Sequence, residues 1–205
     1  MFLGIGSYLT ILAGIGVYPW DTLNLGLVAT FGIKYGTASI TVSILVVLID
    51  VFVLHEKIGL GTVLNAIVVG KAVDLYNYLN LLSKPKSFVG SLVMLLIGIL
   101  IFDFGCYLYM ESALGCGPRD SMLVGLSRRT NKLSIGAINT IILICVTAAG
   151  WLLGGKVGIG TVISALITGP IMQLVFKLMR FDATGIVHQD IIESCRILIK
   201  GNAKI

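Results

Sequence analysis

Two short stretches decide the fold: Gly14-Ile15-Gly16-Val17-Tyr18-Pro19-Trp20-Asp21 and Leu114-Gly115-Cys116-Gly117-Pro118-Arg119-Asp120. In each, glycines precede a proline, and an aspartate follows two residues after it. Glycine permits a sharp turn, and proline suits the first helical position, where no backbone donor is lost. Each stretch therefore predicts a turn that leads directly into a helix.

The two stretches belong to a longer internal repeat. A shift of 99 positions places Pro19 and Asp21 on Pro118 and Asp120, and a shift of 100 places Gly36 on Gly136. Matches at proline, aspartate and glycine are informative because apolar helices vary mainly among Leu, Ile and Val. The sequence therefore predicts a duplicated unit of about a hundred residues, the expected first test for internal symmetry. Further matched pairs are Gly6/Gly105, Tyr8/Tyr107, Gly16/Gly115, Gly26/Gly125, Gly59/Gly158, Gly61/Gly160, Thr62/Thr161 and Gly70/Gly169.

The composition places this repeat in a membrane. Of the 205 residues, 57% are apolar and 12% are charged, whereas soluble domains carry about 25% charged residues. The net charge of +5 is spread over single or short clusters of basic residues without interleaved aromatics, which argues against nucleic acid as a partner. The four cysteines form no CxxC pair, and we expect neither a metal site nor a cofactor.

Each copy of the unit reads as four helical elements. The first, third and fourth have the length and apolar character of membrane-spanning helices, although the opening helix is about a dozen residues shorter than its counterpart, so either it spans a thinned patch or the true start lies upstream of Met1. The elements are residues 1–15, 19–31, 37–54 and 59–78 in the first copy, and 88–110, 118–127, 134–153 and 158–179 in the second.

The second element of each copy is too short to cross a bilayer. Ten to thirteen residues span only about 15–20 Å, against a hydrocarbon core of about 30 Å. We interpret both elements as half-helices, and irregular backbone at membrane depth must be covered by protein or line a wet cavity. The half-helices are therefore predicted to lie inside the bundle.

Three spans and one half-helix per copy would invert the second copy relative to the first, as in many transporters. The positive-inside rule compares the numbers of basic residues on the two sides of the membrane. The inverted topology has seven on the cytoplasmic side and four outside, and a parallel topology has eight and three. Length favours inversion and charge slightly favours the parallel alternative; both place the C-terminus in the cytoplasm. The predicted divisions are a first membrane repeat (1–80), a second (87–180) and a cytoplasmic tail (181–205) that forms an amphipathic helix.

Three motifs carry a family resemblance. Pro19-Trp20-Asp21-Thr22-Leu23-Asn24, Gly117-Pro118-Arg119-Asp120 and Gly150-Trp151-Leu152-Leu153-Gly154-Gly155, followed by Gly158-Ile159-Gly160-Thr161, resemble the YczE/YyaS/YitT family of bacterial membrane proteins, most closely its YczE branch. The resemblance implies a multi-pass protein of the bacterial inner membrane and implies no substrate. The sequence departs from the family pattern at its short start and at Lys71, which stands where the second copy has Pro170.

The two aspartates of the half-helices are the first candidate site residues. An acid in the first turn caps free backbone N–H groups and favours the positive end of the helix dipole. Alternatively, Asp21 and Asp120 approach each other near the midplane and line a polar site for a cation, a proton or an amine. Arg119 would neutralise Asp120 or hold an anionic group, and Trp20 replaces it in the first copy.

Other polar residues at membrane depth complete the candidate pathway. Asp103 lies within a 23-residue apolar run, where a charge costs at least about 2.5–3.5 kcal/mol, so we expect it to face the interior, to be protonated or to find a partner. Lys71 and Asp74 stand three residues apart on one helix face and predict an ion pair, with a gate as the alternative. Asn24 is predicted to be interior, and Thr62 and Thr161 offer hydroxyls, although their GxGT motifs favour close helix packing. Asp50, His55 and Glu56 cluster at a helix end, where interfacial solvation would explain them.

The functional hypotheses follow from this plan. The sequence has no HExxH, GxSxG or P-loop motif, and we expect no enzymatic activity. A transporter or channel-like protein for a small polar solute or ion is the leading hypothesis. The alternative is a membrane-embedded accessory or regulatory protein that binds a partner and transports nothing. The bilayer is a predicted partner in either case, and an oligomer is compatible with both.

Overall fold

A computed structural model describes residues 1–56, 58–112, 115, 117–130 and 135–181. Within these ranges the chain is all-helical, as predicted, and forms eight helices. Each lies within about two residues of its predicted bounds. They are α1 (Phe2–Ala13), α2 (Pro19–Phe31), α3 (Tyr35–Phe52), α4 (Leu60–Leu79), α5 (Phe88–Glu111), α6 (Pro118–Arg129), α7 (Ile135–Leu152) and α8 (Ile159–Leu178). The predicted tail helix lies outside the described residues.

Three of these helices are long and apolar enough to cross a membrane: α3, α5 and α8. Residues 137–152 of α7 and the 12-residue α1 are apolar but form shorter segments. The 20-residue α4 is not among the three, because Asn65, Lys71, Asp74 and Asn77 lower its hydropathy. The spans predicted from the sequence are therefore confirmed for three helices.

The distribution of side chains is that of a protein surrounded by lipid. Large apolar side chains point outward, with Leu152 80% exposed and Leu166 70% exposed. Small polar side chains point inward instead, and Ser7, Thr10 and Ser164 are at most 1% exposed. Contiguous exposed apolar surface of this extent is rare on soluble monomers, so it supports the membrane assignment independently of hydropathy.

Helices α1 and α5 pack against each other in antiparallel directions. A Cβ at Gly6 would lie 2.6 Å from the Cβ of Phe102, whereas a Cβ at Gly105 would lie 2.9 Å from the backbone nitrogen of Leu3. Later residues of α1 therefore contact earlier residues of α5. Glycine at these positions permits close approach of the two backbones.

The two halves of the chain interleave. Helix α2 packs mainly against α7, and α6 packs against α3, so each short helix rests on the third helix of the other half. At about 1.5 Å per residue, the 13 and 12 residues of α2 and α6 are about 20 and 18 Å long. Buried Val42, Val46, Met122, Ile138 and Ile142 fill the space between α3, α6 and α7. The short helices thus lie inside the bundle, as predicted.

The C-terminal ends of the two short helices are held by polar contacts at positions that the predicted repeat aligns. At the end of α2, the Thr30 hydroxyl donates to the Leu153 carbonyl over 2.8 Å. At the end of α6, Arg129 donates to the Val53 carbonyl, and Arg128 forms an ion pair with Glu56 at 3.0 Å. Thr30 and Arg129 are 99 positions apart, so these two positions, which the predicted repeat aligns, carry a neutral donor in α2 and a cationic donor in α6.

Candidate functional site: a polar centre between the short helices

The first turn of α2 holds a buried carboxylate. Asp21 is 1% exposed, and its Oδ1 accepts a hydrogen bond from the Tyr35 hydroxyl at 2.6 Å and from the Asn24 amide at 3.4 Å. The Asn24 amide also lies 3.3 Å from the Tyr35 oxygen, and the Ser7 side chain interacts with the same carboxyl group. The predicted interior positions of Asp21 and Asn24 are therefore confirmed.

The first turns of the two short helices meet. The Arg119 Cζ lies 5.0 Å from the centroid of the Trp20 ring, within the range of a cation–π interaction. Arg119 also interacts electrostatically with Asp21. Arg119 at the start of α6 thus provides a positive charge near Asp21 at the start of α2.

The second carboxylate has different surroundings. Asp120 Oδ2 accepts a hydrogen bond from the Tyr109 hydroxyl at the end of α5, and the same hydroxyl oxygen accepts the Gly117 N–H at 3.3 Å. A Cβ at Gly117 would lie 3.1 Å from the Asn65 amide nitrogen and 3.2 Å from Asp120 Oδ2, which places Asn65 beside this group. We call Trp20, Asp21, Asn24, Tyr35, Tyr109, Arg119 and Asp120 together the polar centre.

Asp103 lies apart from these hydrogen bonds. Its side chain is 0% exposed, and neither carboxylate oxygen has a hydrogen-bond partner in the described structure. It interacts electrostatically with Tyr18 and Cys106. The Tyr18 ring packs against Phe102, with centroids 4.8 Å apart. The predicted interior position of Asp103 is confirmed, but no cation neutralises it among the described residues.

The polar centre is closed in this conformation. Asp21 and Asn24 are at most 1% exposed, and Arg119 and Asp120 are half-buried. A cleft of about 240 Å³ lined by Met1, Phe2, Leu3, Gly105, Leu108 and Tyr109 lies at the α1–α5 contact. Tyr109 lines this cleft and donates a hydrogen bond to Asp120, whereas Asp21 is buried away from it. The cleft is not lined by Asp21, Asp120 or Asp103, so a water-accessible path to these acids would require the centre to open.

The GxGT threonines hold the helix starts together. Thr161 Oγ1 accepts the Gly158 N–H at 3.3 Å and the Val17 N–H, from the turn before α2, at 3.2 Å. Thr62 Oγ1 accepts the Gly59 N–H at 3.3 Å in the same way. Both threonines are at most 3% exposed. Their hydroxyls are thus engaged in capping, which fits the packing interpretation of the motif.

The turn before α2 needs its glycine for this contact. Gly16 has φ +135°, and a Cβ there would lie 2.4 Å from the Thr161 nitrogen. Gly160 N–H donates to the Ile15 carbonyl at 2.8 Å. Gly115 repeats the arrangement at φ +128°, with its Cβ position 2.7 Å from Gly59 Cα. Each half-helix is therefore positioned by the fourth helix of the other half.

Two polar groups have surroundings that differ from those predicted. Asp74 accepts the Gly36 N–H at 2.9 Å and so caps the start of α3, and among the described side chains no ion pair joins it to the exposed Lys71. Asp50 is 0% exposed with neither carboxylate oxygen hydrogen-bonded within the described ranges. The interfacial solvation predicted for Asp50 is therefore wrong, because α3 turns this residue inward.

Sequence reasoning missed Tyr35 and Tyr109. Both donate to the central aspartates, yet they occupy unrelated positions in the repeat, where Ile135 and Thr10 are their counterparts. A tyrosine beside a glycine at the start of α3 was the only available signal.

Comparisons with known proteins identify a family and three relatives. The sequence profile described as "Family of unknown function (DUF6198)" matches residues 1–177. An uncharacterized protein of Haemophilus influenzae is 37% identical over 177 residues, 86% of this chain and 79% of that protein. The "Uncharacterized membrane protein YczE" of Bacillus subtilis is 28% identical over 174 residues, 84% of this chain and 80% of its own. The "Uncharacterized protein YyaS" of the same organism is 23% identical over 178 residues, 85% and 87% of the two chains. No solved structure matches.

Proposed function

The chain belongs to the DUF6198 family and is a YczE-like membrane protein, and on that basis we propose that it is a transporter or channel-like protein for a small polar solute or ion. One observation carries the proposal: the Asp21 carboxylate is buried where two half-helices meet and faces Arg119 of the other half. Charged groups at membrane depth are costly and mark substrate or ion pathways.

An inverted repeat is part of the proposal. Helices α1 and α5 are counterparts in the duplicated sequence, and their antiparallel packing supports inversion, because a parallel duplication would leave counterparts running in the same direction. The contact between Trp20 and Arg119, which are counterparts 99 positions apart, supports an axis of pseudo-symmetry through the polar centre. Inverted repeats place binding sites at the repeat interface.

The electrostatics of the centre favour a cationic solute. In the closed conformation Arg119 supplies the positive charge that Asp21 requires. A cation or an amine that enters could replace Arg119 at the Asp21 carboxylate, which Tyr35 and Asn24 already hold in position. Arg119 would then remain on the Trp20 ring or turn towards Asp120. An anion would instead pair with Arg119 and leave Asp21 uncompensated.

The orientation follows from the charges at the end of α6. Arg128 and Arg129 lie in the last turn of this helix, and the positive-inside rule assigns basic residues at such a helix end to the cytoplasm. We place the protein in the bacterial inner membrane with this end and the C-terminus in the cytoplasm.

A second candidate function is supported by the closure of the centre. A membrane-embedded accessory protein would need no pathway, and its buried acids would serve only to hold the half-helices in place. The broad exposed apolar surface, which includes Trp151 at 64% and Phe52 at 71% exposure, would then bind a protein partner in the bilayer.

Thermal-shift measurements on the purified protein test the proposal. Sodium, potassium, ammonium and tetramethylammonium are the probes, and wild type is compared with Asp21→Asn and Asp120→Asn. A ligand at a hundred times its Kd adds about 2.7 kcal/mol of stability, which corresponds to a rise in Tm of about 5–10 °C for a chain of this size. We expect a rise that Asp21→Asn abolishes.

Asp74→Asn is the matched control, because Asp74 caps α3 and lies outside the polar centre. It should lower the Tm without a ligand but keep the shift with one. If no probe shifts the wild type, or if Asp21→Asn responds as the wild type does, solute binding at the centre is refuted and the accessory function is favoured.

A further inference from the structure

Asp103 and Asp50 are the two fully buried carboxyl groups that have no hydrogen bond among the described residues, and Asp103 has no other carboxylate near it in sequence. It lies in α5, which spans the membrane by length and composition, and it has no exposed surface. Both of its oxygens lack a hydrogen-bond donor within the described residues. Its counterpart in the first half is Gly4, which packs against Ala72 of α4. At these two aligned positions the second half therefore carries an acid, whereas the first half carries a glycine at a helix–helix contact.

The helices packed around Asp103 supply no countercharge. Helix α5 packs on α1 and α8; α1 contains no charged residue, and α8 contains only Lys177, in its exposed last turn. The titratable groups that interact with Asp103 are Tyr18, from the turn before α2, and Cys106, on α5 itself. Ile99 and Leu95, about one and two turns before Asp103, are fully buried in an apolar cluster.

A metal cation does not fit this environment. Hard cations take several oxygen ligands in a shell around the ion. Here Asp103 contributes one carboxylate, and no group of three acidic, histidine or cysteine side chains gathers anywhere in the described chain. A proton requires no such shell, because its binding removes the charge that the apolar surroundings disfavour.

We propose that Asp103 is a proton-binding site and that, in the closed conformation, its carboxyl group carries a proton. The inference goes beyond the proposed transport of a solute, since the site is complete without one. The step is the addition of one proton to one carboxylate oxygen, with no other bond changed. The polar centre contrasts with this site, because Asp21 receives two hydrogen bonds and faces Arg119, whereas neither oxygen of Asp103 has such a partner among the described residues.

Infrared spectroscopy of the purified protein tests the proposal without any solute. A protonated carboxyl group gives a C=O band distinct from those of a carboxylate. We expect this band in the wild type at neutral pH, a shift of the band in D₂O, and its loss or reduction in Asp103→Asn. Asp50→Asn, which removes the other fully buried carboxyl group without a hydrogen bond, and Asp74→Asn should leave the Asp103 contribution intact.

Two results would overturn the proposal. One is a wild-type minus Asp103→Asn spectrum that contains carboxylate bands and no acid band. The other is a rise in Tm with sodium or potassium that depends on Asp103, which would identify a metal-cation site. Should Asp103→Asn fail to fold, ¹³C-carboxyl labelling of aspartate is compared in the wild type and in Asp103→Glu: the acid band of residue 103 shifts with the label in the wild type and does not shift in the variant. A failure to bind solute at Asp21 would refute the transport function and leave this result unaffected.

Discussion

Arg119 lies over the ring of Trp20, with its Cζ 5.0 Å from the ring centroid, and these residues occupy the same position in the two halves of the chain. In the inverted repeat that we propose, counterparts that touch lie next to the axis that relates the two halves. The contact makes the polar centre asymmetric, because one side is an aromatic ring and the other a guanidinium group. The second half supplies the guanidinium group of Arg119, and the first half supplies the Trp20 ring that it stacks on.

Removal of the Trp20 ring should weaken this junction. We expect Trp20→Ala to lower stability by about 0.5–2 kcal/mol through the lost cation–π contact alone, with a further loss from its packing against the α3–α6–α7 core. The measurement is thermal unfolding in detergent. Trp151→Ala is the control, since Trp151 is 64% exposed and should matter less. Equal losses in the two variants would contradict the importance of the stacked pair.

The Tyr35 hydroxyl should stabilise the buried carboxylate. Tyr35→Phe removes the 2.6 Å hydrogen bond to Asp21, and an unsatisfied buried acceptor costs about 1–3 kcal/mol. Tyr78→Phe, at an 86% exposed position, should have little effect. A double-mutant cycle with Asp21→Asn measures the coupling, and additive losses would show that the two groups do not stabilise each other.

The positive-φ glycine before α2 should tolerate no side chain. Gly16→Ala places a Cβ 2.4 Å from the Thr161 nitrogen at φ +135°, and backbone strain with overpacking should cost about 3 kcal/mol or more. Gly169→Ala is the matched control, because no atom lies within 4 Å of its Cβ position. The yield of folded protein and the Tm are the measurements. A wild-type Tm for Gly16→Ala would mean that this turn packs differently.

The Thr161 hydroxyl should act as a structural acceptor. Thr161→Val leaves the Val17 and Gly158 N–H groups without their shared acceptor, and we expect a loss of about 1–3 kcal/mol. Thr41→Val is the control, because the exposed Thr41 hydroxyl bonds only within its own helix. Ligand-induced shifts in Tm should survive in Thr161→Val; their loss would assign this threonine to the solute pathway instead.

The sequence was sufficient for the bounds of the two short helices because their signals are local. Pro19 and Pro118 open helices at the positions predicted, and the buried Asp21 follows from its place in the first turn. The partners of the acids were not predictable in this way. Tyr35 reaches Asp21 from the start of α3, whereas Tyr109 reaches Asp120 from the end of α5, so repeat symmetry gives no guide to them.

Asp74 shows how tertiary contacts override a local pattern. Its spacing from Lys71 predicts a pair along one helix face. The free N–H groups at the start of α3 compete for the same carboxylate, and Gly36 provides one at 2.9 Å. A helix start is electropositive and its N–H groups need acceptors. Which helix start lies beside Asp74 is set by the packing of α3 on α4, which no local pattern contains.

The unlike fastenings of α2 and α6 give the molecule two ends that differ in sensitivity to salt. At the α6 end, the Arg128–Glu56 pair is solvent-facing on its arginine side, at 69% exposure, and mobile ions screen such pairs within about 10 Å at 0.1 M. At the α2 end, the neutral Thr30 hydroxyl offers nothing for those ions to screen. Raising the ionic strength on the vesicle face that carries the α6 end should therefore weaken the Arg128–Glu56 ion pair. The same change at the α2 end should leave the hydrogen bond from Thr30 to the Leu153 carbonyl intact.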